Sequence, residues 1–407
     1  MTVAWSRELG PAFDLLARYA SPDGFFLERA GLGVVGAGAA ERISVSAGPD
    51  QLAEAARALK PVLRGARAAG AVPVAVGAFA FDGSREAALV VPARTVRRDA
   101  EGETREITIG EDVRTGDDAA LISGSPHDAF GDVQLRPVPQ PAGYTYAVAS
   151  ALDRIHTGDL RKVVLARTLE VQAGRELDPK RLVHRLRAVD PDCFAFALPS
   201  GAGAVLVGAS PELLVSRRGL VVSANPLAGS APRSGDPEED RASAQALGSS
   251  AKDRQEHAFV VEHVFRVLKP LCDELRYDAD PQLLATATVW HLSTRFSGRL
   301  KRPAPTALEL AAALHPTPAV CGTPTTSAAA AIAELEPFER GCYAGPVGWV
   351  DADGDGDWAL ALRCAELIGD RATLYAGAGI VADSEPEREL DETERKFRAF
   401  LDSLRWG

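Results

Sequence analysis

Several ionisable residues of this chain sit where ionisable residues are rarely placed. Lys162 lies in "LRKVVLAR" (160–167), which reads as a β-strand. Period-two alternation puts Lys162 on one face with Val164 and Ala166, while Arg161 and Arg167 share the other with Val163 and Leu165. Such a lysine either snorkels to water from an edge strand or is desolvated to serve as a base. Glu212 in "GASPELLVS", Glu256 in "SAKDRQEH", His291 in "VWHLSTR", Arg363 in "LALRCAE", and Glu392 with Lys396 in "LDETERK" raise the same kind of question. Taken singly, each has an ordinary explanation. Glu212 can open a turn after Ser210–Pro211, Glu256 can pair with Lys252, and Glu392–Lys396 is an i, i+4 pair that suits any surface helix.

Three other patterns suggest chemistry and fail on spacing or context. "GLGVVG" (31–36) matches a dinucleotide-binding fingerprint, but "AGAAERISVSAGP" follows with no helical stripe to receive a pyrophosphate. "DADGDGDW" (351–358) begins like a calcium loop, yet its twelfth position is Leu362 instead of a bidentate Glu, and its flanks read as strands. His257 and His263 stand six apart on a helix, whereas two zinc ligands on one helical face need i, i+4.

The elements that must position the remaining residues follow from patterning. Residues 50–69 show helical periodicity, and 71–81 read as a strand. A polar stretch from about 93 to 141, closing with "RPVPQPAG", offers a boundary near 140. Beyond it come a helix at 143–156, the Lys162 strand, a helix at 178–189, and four short strands ("CFAFALP", "AVLVGAS", "ELLVSRR", "LVVSANP") joined by tight turns. Gaps this short imply antiparallel neighbours. One long helix fits 240–275, strands fall near 343–350, 358–366 and 372–381, and a helix closes the chain at 387–403. The texture is α+β, with large antiparallel sheets faced by helices.

Composition narrows the function class. With 407 residues, 46% apolar and 25% charged, the chain is an ordinary globular protein with ample core. A formal charge of −11 argues against nucleic-acid or anionic-membrane partners, so an anionic substrate needs a local basic pocket. Five widely spaced cysteines (193, 272, 321, 342, 364) fit reduced thiols better than disulfides or zinc knuckles. The N-terminus lacks a signal-peptide pattern, and the longest apolar run (69–81) is too short to span a bilayer. A cytoplasmic protein is expected.

Together the motifs are far more specific. "KVVLAR", "GASPELLVS", "NPLAGSAPR", "SAKDRQEH", "HLSTR", "LHPTPAVCGTPT", "ERGCYAGPVGWVDADGDGDW", "LRCAE" and "YAGAGIVADSEPERELDETERK" occur in this order. The chain resembles the chorismate-utilising enzymes: isochorismate, anthranilate, salicylate and aminodeoxychorismate synthases. The likeness is strong over about 142–403. It is loose in the N-terminal third, through "SPDGFFLERAG" and "VGAFAFDG". It implies one α+β body of two large antiparallel sheets sandwiched between helices, with the site in a central cleft. Residues 1–140 would be the N-terminal part of that body and 141–407 its chorismate-binding catalytic region.

The resemblance also implies Mg²⁺ and roles. Lys162 matches the lysine that deprotonates the attacking water. Lysine titrates near ~10.4, so a neutral-pH base needs its ammonium form destabilised by about 3–4 kcal/mol. Glu212 matches the general acid for the leaving 4-hydroxyl and needs burial to keep its proton. Glu256 and Glu392 match metal ligands, with Asp253, Glu389 and Asp391 close enough to support them. Arg363, Lys396 and the backbone around Gly377 and Gly379 would hold the enolpyruvyl carboxylate. Tyr343 and His291 match pocket positions, His291 orienting substrate rather than binding metal.

Two positions choose among the siblings. Aminodeoxychorismate synthases carry a nucleophilic lysine where "NPLAGS" has Ala228, and anthranilate synthases carry glutamine where Lys162 stands. Water is therefore the expected nucleophile, which leaves isochorismate and salicylate synthases; "CGTPT" and "GWVDADGDGDW" look more like the former, so isochorismate is the expected product. Salicylate synthase is the alternative, and anthranilate synthase component I a more distant one. No glutamine amidotransferase partner and a monomer are expected. Isochorismate as product would feed a siderophore, menaquinone or specialised-metabolite route.

Overall fold

The computed structural model describes residues 3–9, 13–66, 72–99, 101–109 and 130–405. Among these, a twelve-stranded sheet contains Phe25–Arg29, Phe194–Gly201, Ala204–Ser210, Cys364–Ile368, Arg371–Ile380 and Lys162–Ala173 as consecutive neighbours. A nine-stranded sheet has Val221–Asn225, Leu213–Arg218, Gly356–Leu360, Pro346–Asp351 and Val74–Ala78 at its centre. Neighbours in both sheets run antiparallel, as the short turns require. Each sheet takes strands from both sides of residue 140.

Period-two alternation explains the layering. Phe25, Leu27, Val34, Phe196, Leu198 and Leu206 point into a core shared with the second sheet. Their neighbours Phe26, Val35, Ala195, Ala197, Val205 and Val207 point into another, closed by the helices Pro179–Val189 and Pro386–Arg405. Each fully buried Leu or Phe contributes about 1.5–3 kcal/mol, so one large sheet anchors both cores.

Three elements differ from the sequence reading. The single helix over 240–275 is two, Pro237–Ser249 and Ala251–Leu268, followed by a strand at Cys272–Tyr277. Ser250 separates them: its backbone is extended, and its hydroxyl accepts from the Asp253 N–H as the second helix's N-cap. The strand over 358–366 is also two. Gly356–Leu360 belongs to the second sheet and Cys364–Ile368 to the large one, with Arg363 between them at φ 47°. A third sheet of Leu227–Pro232, Val289–Ser293 and Gln282–Ala285 was not foreseen. The helix predicted over 50–69 is Gln51–Ala66, and 67–69 lie outside the described residues, as do 110–129 of the polar stretch.

The misleading motifs settle into structure. "GLGVVG" is a hairpin turn and strand, with no helix after it. "DADGDGDW" turns between two paired strands, where Asp351 accepts from the Asp353 and Asp355 N–H groups and pairs with Arg97. His257 bonds Thr294 and His263 bonds the Leu314 carbonyl, so the two rings serve different neighbours. All five cysteines are buried free thiols.

Candidate active site

Lys162 does not snorkel. Its end of the strand is flanked by Gly322–Thr323 on one edge and Arg371–Ile380 on the other, its side chain is 0% exposed, and its Nζ lies 3.0 Å from Glu256 Oε1 without forming a hydrogen bond of ordinary geometry. Glu256 comes from the helix that Ser250 starts, so the N-cap sets the phase of the carboxylate facing the lysine. Gly379, across from Val164 in the neighbouring strand, makes room for it. A Cβ there would stand 2.0 Å from Glu256 Oε1.

The terminal helix supplies the opposite wall. Glu389, Glu392 and Lys396 follow i, i+3, i+7 spacing and share one face. Lys396 Nζ donates to the Gly377 carbonyl and to Glu392 Oε1, both at 2.7 Å. Buried Arg167 ties this helix to the Lys162 strand through the Thr393 hydroxyl at 2.7 Å and the Glu394 carboxylate. Gly377 also fits Tyr343, whose hydroxyl a Cβ would meet at 2.9 Å. Tyr343 stacks on Tyr375 with centroids 5.1 Å apart.

His291 lies on the small sheet and Arg363 at the crossing between the large ones. Arg363 donates to His291 Nε2 at 2.8 Å, which leaves the proton on Nδ1 to be donated to the Gly229 carbonyl at 3.3 Å. Burial, then the Arg363 and Lys396 charges, hold His291 far below the usual imidazole range, so the ring is neutral at physiological pH. Arg363 Nη1 is buried and makes no hydrogen bond; Asp190 lies 3.6 Å from it. A buried guanidinium with hydrogen-bonding capacity left beside its Asp190 ion pair suits a carboxylate ligand. Arg363 and Ala344, both in left-handed backbone, line the site, where such strain commonly gathers.

These walls enclose one cleft. Glu212, Glu256, His291, Tyr343, Arg363, Gly377, Gly379, Glu392 and Lys396 all line it, and Lys162 stands behind Glu256 and Gly379. These ten residues are therefore in or against one cavity, whereas Asp253 and the Lys252-paired Glu389 lie outside its lining and Asp391 is exposed. Sequence reasoning passed over Ser230, whose hydroxyl bonds Glu392, and Tyr375. Both lie inside quoted motifs, yet nothing in their type or spacing sets them apart. Asp190, the neighbour of Arg363, carries no local signal at all.

The two halves of the cleft differ electrostatically. Burial pushes Glu212 up to about 8, although the Leu227 N–H, Lys162 and Lys396 all oppose the shift, so Glu212 keeps its proton at neutral pH. Burial also acts on Glu392, but Lys396 and the Ser230 hydroxyl outweigh it and hold this carboxyl ionised. Next to it, burial and the Glu392 charge push Glu389 up to about 7 despite Lys252 at 2.6 Å. A cation beside Glu392 would relieve that repulsion, so the donors fit a hard divalent ion. Among the described residues no group of three or more His, Cys, Asp or Glu forms a metal cage. Glu256 and Glu392 would need water and a ligand carboxylate to complete an octahedral shell.

No helix among the described residues is long and apolar enough to cross a membrane. The model of the family described as chorismate binding enzyme matches residues 9–405. The chain is 41% identical to isochorismate synthase DhbC of Bacillus subtilis over 398 residues, 96% of this chain and 95% of that protein. The structure of DhbC from Bacillus anthracis superposes with a TM-score of 0.84 at 38% identity, covering 96% of this chain and 98% of that one. The menaquinone-specific isochorismate synthase MenF of Escherichia coli does so with a TM-score of 0.82 at 26% identity, over 98% and 94%. From Leu9 to Arg405 this chain belongs to the chorismate binding enzyme family.

Proposed function

We propose that this enzyme is an isochorismate synthase, an isomerase that adds water to C2 of chorismate as the C4 hydroxyl leaves. The observation that carries the reading is the pairing of a buried lysine with a carboxyl that burial keeps protonated, Lys162 and Glu212, at one cleft. Lys162 takes a proton from water as its oxygen bonds to C2. The ring diene shifts toward C4, and the C4–O bond breaks as Glu212 delivers its proton, so a second water departs. Arg363 and Lys396 hold the enolpyruvyl carboxylate, with Gly377 and Gly379 admitting it close to the backbone. His291, neutral and fixed as the Nδ1–H tautomer by Arg363 and Gly229, orients the substrate without competing for the proton. Tyr343, braced on Tyr375, forms the wall opposite.

Glu256 and Glu392 would hold Mg²⁺, which when bound neutralises the charge of a substrate carboxylate. Ala228 lines the cleft where an aminodeoxychorismate synthase has its nucleophile, and a methyl group forms no covalent adduct. Neither glutamine nor an amidotransferase partner is required in this reading, and the chain acts as a cytoplasmic monomer. Incubation with chorismate and Mg²⁺, followed by chromatography, tests it. Isochorismate approaching an equilibrium mixture with chorismate is expected. Salicylate and pyruvate formed in step with chorismate loss would reassign the enzyme as a salicylate synthase, and aminated product from ammonium would overturn the role of Lys162.

A further inference from the structure

The strand that carries Lys162 is incompletely paired. Arg371–Ile380 flanks it from Val163 to Gln172. On the other edge Gly322–Thr323 meets only Lys162 and Val163, and Val133–Val138 begins at Thr168. Among the described residues none forms a strand beside 164–167 on that edge, and buried backbone groups there need other partners. The Cys321 carbonyl takes the Val164 N–H at 2.8 Å. A side-chain pair takes two more. Glu336 Oε1 accepts from the Ala166 N–H at 2.7 Å, and Arg340 Nη2 donates to the Val164 carbonyl at 2.8 Å.

Glu336 and Arg340 are locked together by bonds of 2.6 and 2.8 Å, and each side chain is 3% exposed. Arg340 also donates to the Val320 carbonyl at 2.7 Å and lies over the Phe81 ring at 4.4 Å. Val164, Val320 and Tyr343, three residues beyond Arg340, all line the cleft, whereas Glu336 and Arg340 do not. A buried ion pair is poor evidence for stability, since apolar residues often replace one without loss. What apolar residues cannot supply is a directed acceptor for one backbone group and directed donors for two others.

We propose that Glu336 and Arg340 are positioning residues for the reaction. They substitute for a missing strand neighbour and hold the Lys162–Val164 segment, the Val320 loop and the Tyr343 turn in one register. The inference rests on the isochorismate synthase reading, because it is Lys162 whose placement the pair governs.

Arg340→Lys and Glu336→Gln test it, with steady-state kcat and KM for chorismate measured per folded molecule by near-UV circular dichroism. Lysine keeps the charge but has one tip where the guanidinium spans a carboxylate and two carbonyls. Arg340→Lys should lower kcat by about 10- to 100-fold, the scale of an ångström-sized misplacement, with KM within about threefold. Glu336→Gln keeps an oxygen for the Ala166 N–H and should recover part of that loss. Should Arg340→Lys fail to fold, Glu336→Gln is judged by the same split, kcat falling more than KM rises. The Arg154–Glu334 pair, a surface link between the helices Pro141–His156 and Thr325–Leu335, gives the control, Arg154→Ala leaving kcat unchanged. Unchanged kcat per folded molecule, or a rise in KM alone, would overturn the proposal. Wild-type turnover of chorismate checks the underlying reading separately.

Discussion

Replacing Glu212 by Gln should make the protein more stable and nearly inactive at once. Glu212 titrates at about 8 in the fold against an ordinary 4.5, with burial as the main cause. Below pH 4.5 it is neutral in both folded and unfolded chains and costs nothing. Between those two values only the unfolded chain ionises, so the folded state binds the extra proton and stability falls as pH rises, by about 1.4 kcal/mol per unit. The burden reaches about 3 kcal/mol at pH 7 and levels off near about 5 kcal/mol once the folded carboxyl ionises as well. Glutamine has the same shape, keeps an oxygen for the Leu227 N–H, and cannot ionise. Urea unfolding of both proteins between about pH 5 and pH 9 should show the variant's advantage growing with pH and then flattening. Turnover should drop by roughly 10²–10⁴-fold, the worth of a general acid. An advantage independent of pH, or a wild type more stable than the variant at alkaline pH, would refute the argument that Glu212 is held neutral by burial.

Lys162→Gln should reduce water addition by roughly 10²–10⁴-fold with little change in chorismate affinity, measured by turnover and by equilibrium binding; wild-type-like turnover would remove Lys162 from the mechanism. Glu256→Ala or Glu392→Ala should abolish turnover with the fold intact by circular dichroism, and chelation should do the same to the wild type until Mg²⁺ is restored. Full activity in EDTA would contradict the two-carboxylate metal site. Calcium titration should show nothing tighter than about millimolar at 351–357, because Asp351 already serves two N–H groups and Arg97 and Leu362 is no ligand. Micromolar affinity lost in Asp353→Ala would show that the loop is a site after all.

What the chain reveals by inspection is governed by how local each determinant is. The cleft residues sit in contiguous motifs, so their co-location could be expected from motif order. The Lys162 strand, the four short strands after it and the terminal helix were legible because period-two and helical patterning are local. The break at Ser250 was also local, a preferred N-cap residue, but the apolar stripe continuing on either side concealed it. The split at Arg363 was not local. An apolar run that leaves one sheet and joins another looks like a single strand, and only a non-glycine φ of 47° marks the crossing. The third sheet brings His291 to Gly229, 62 residues away in the chain. The Glu336–Arg340 brace was invisible for the same reason. An i, i+4 pair suggests a solvated helix face, and only the assembled sheet shows the gap it fills.

The central claim is that solvent water, activated at Lys162, becomes the new hydroxyl while Glu212 expels the old one. Turnover of chorismate in ¹⁸O-labelled water, followed by mass spectrometry of both ring acids, tests it directly. The account predicts one heavy oxygen in each isochorismate molecule from the first turnovers. Label should then enter the C4 hydroxyl of the recovered chorismate as acid and base exchange roles in the reverse direction. Isochorismate without label, its hydroxyl carried over from C4 of the same molecule, would contradict the account.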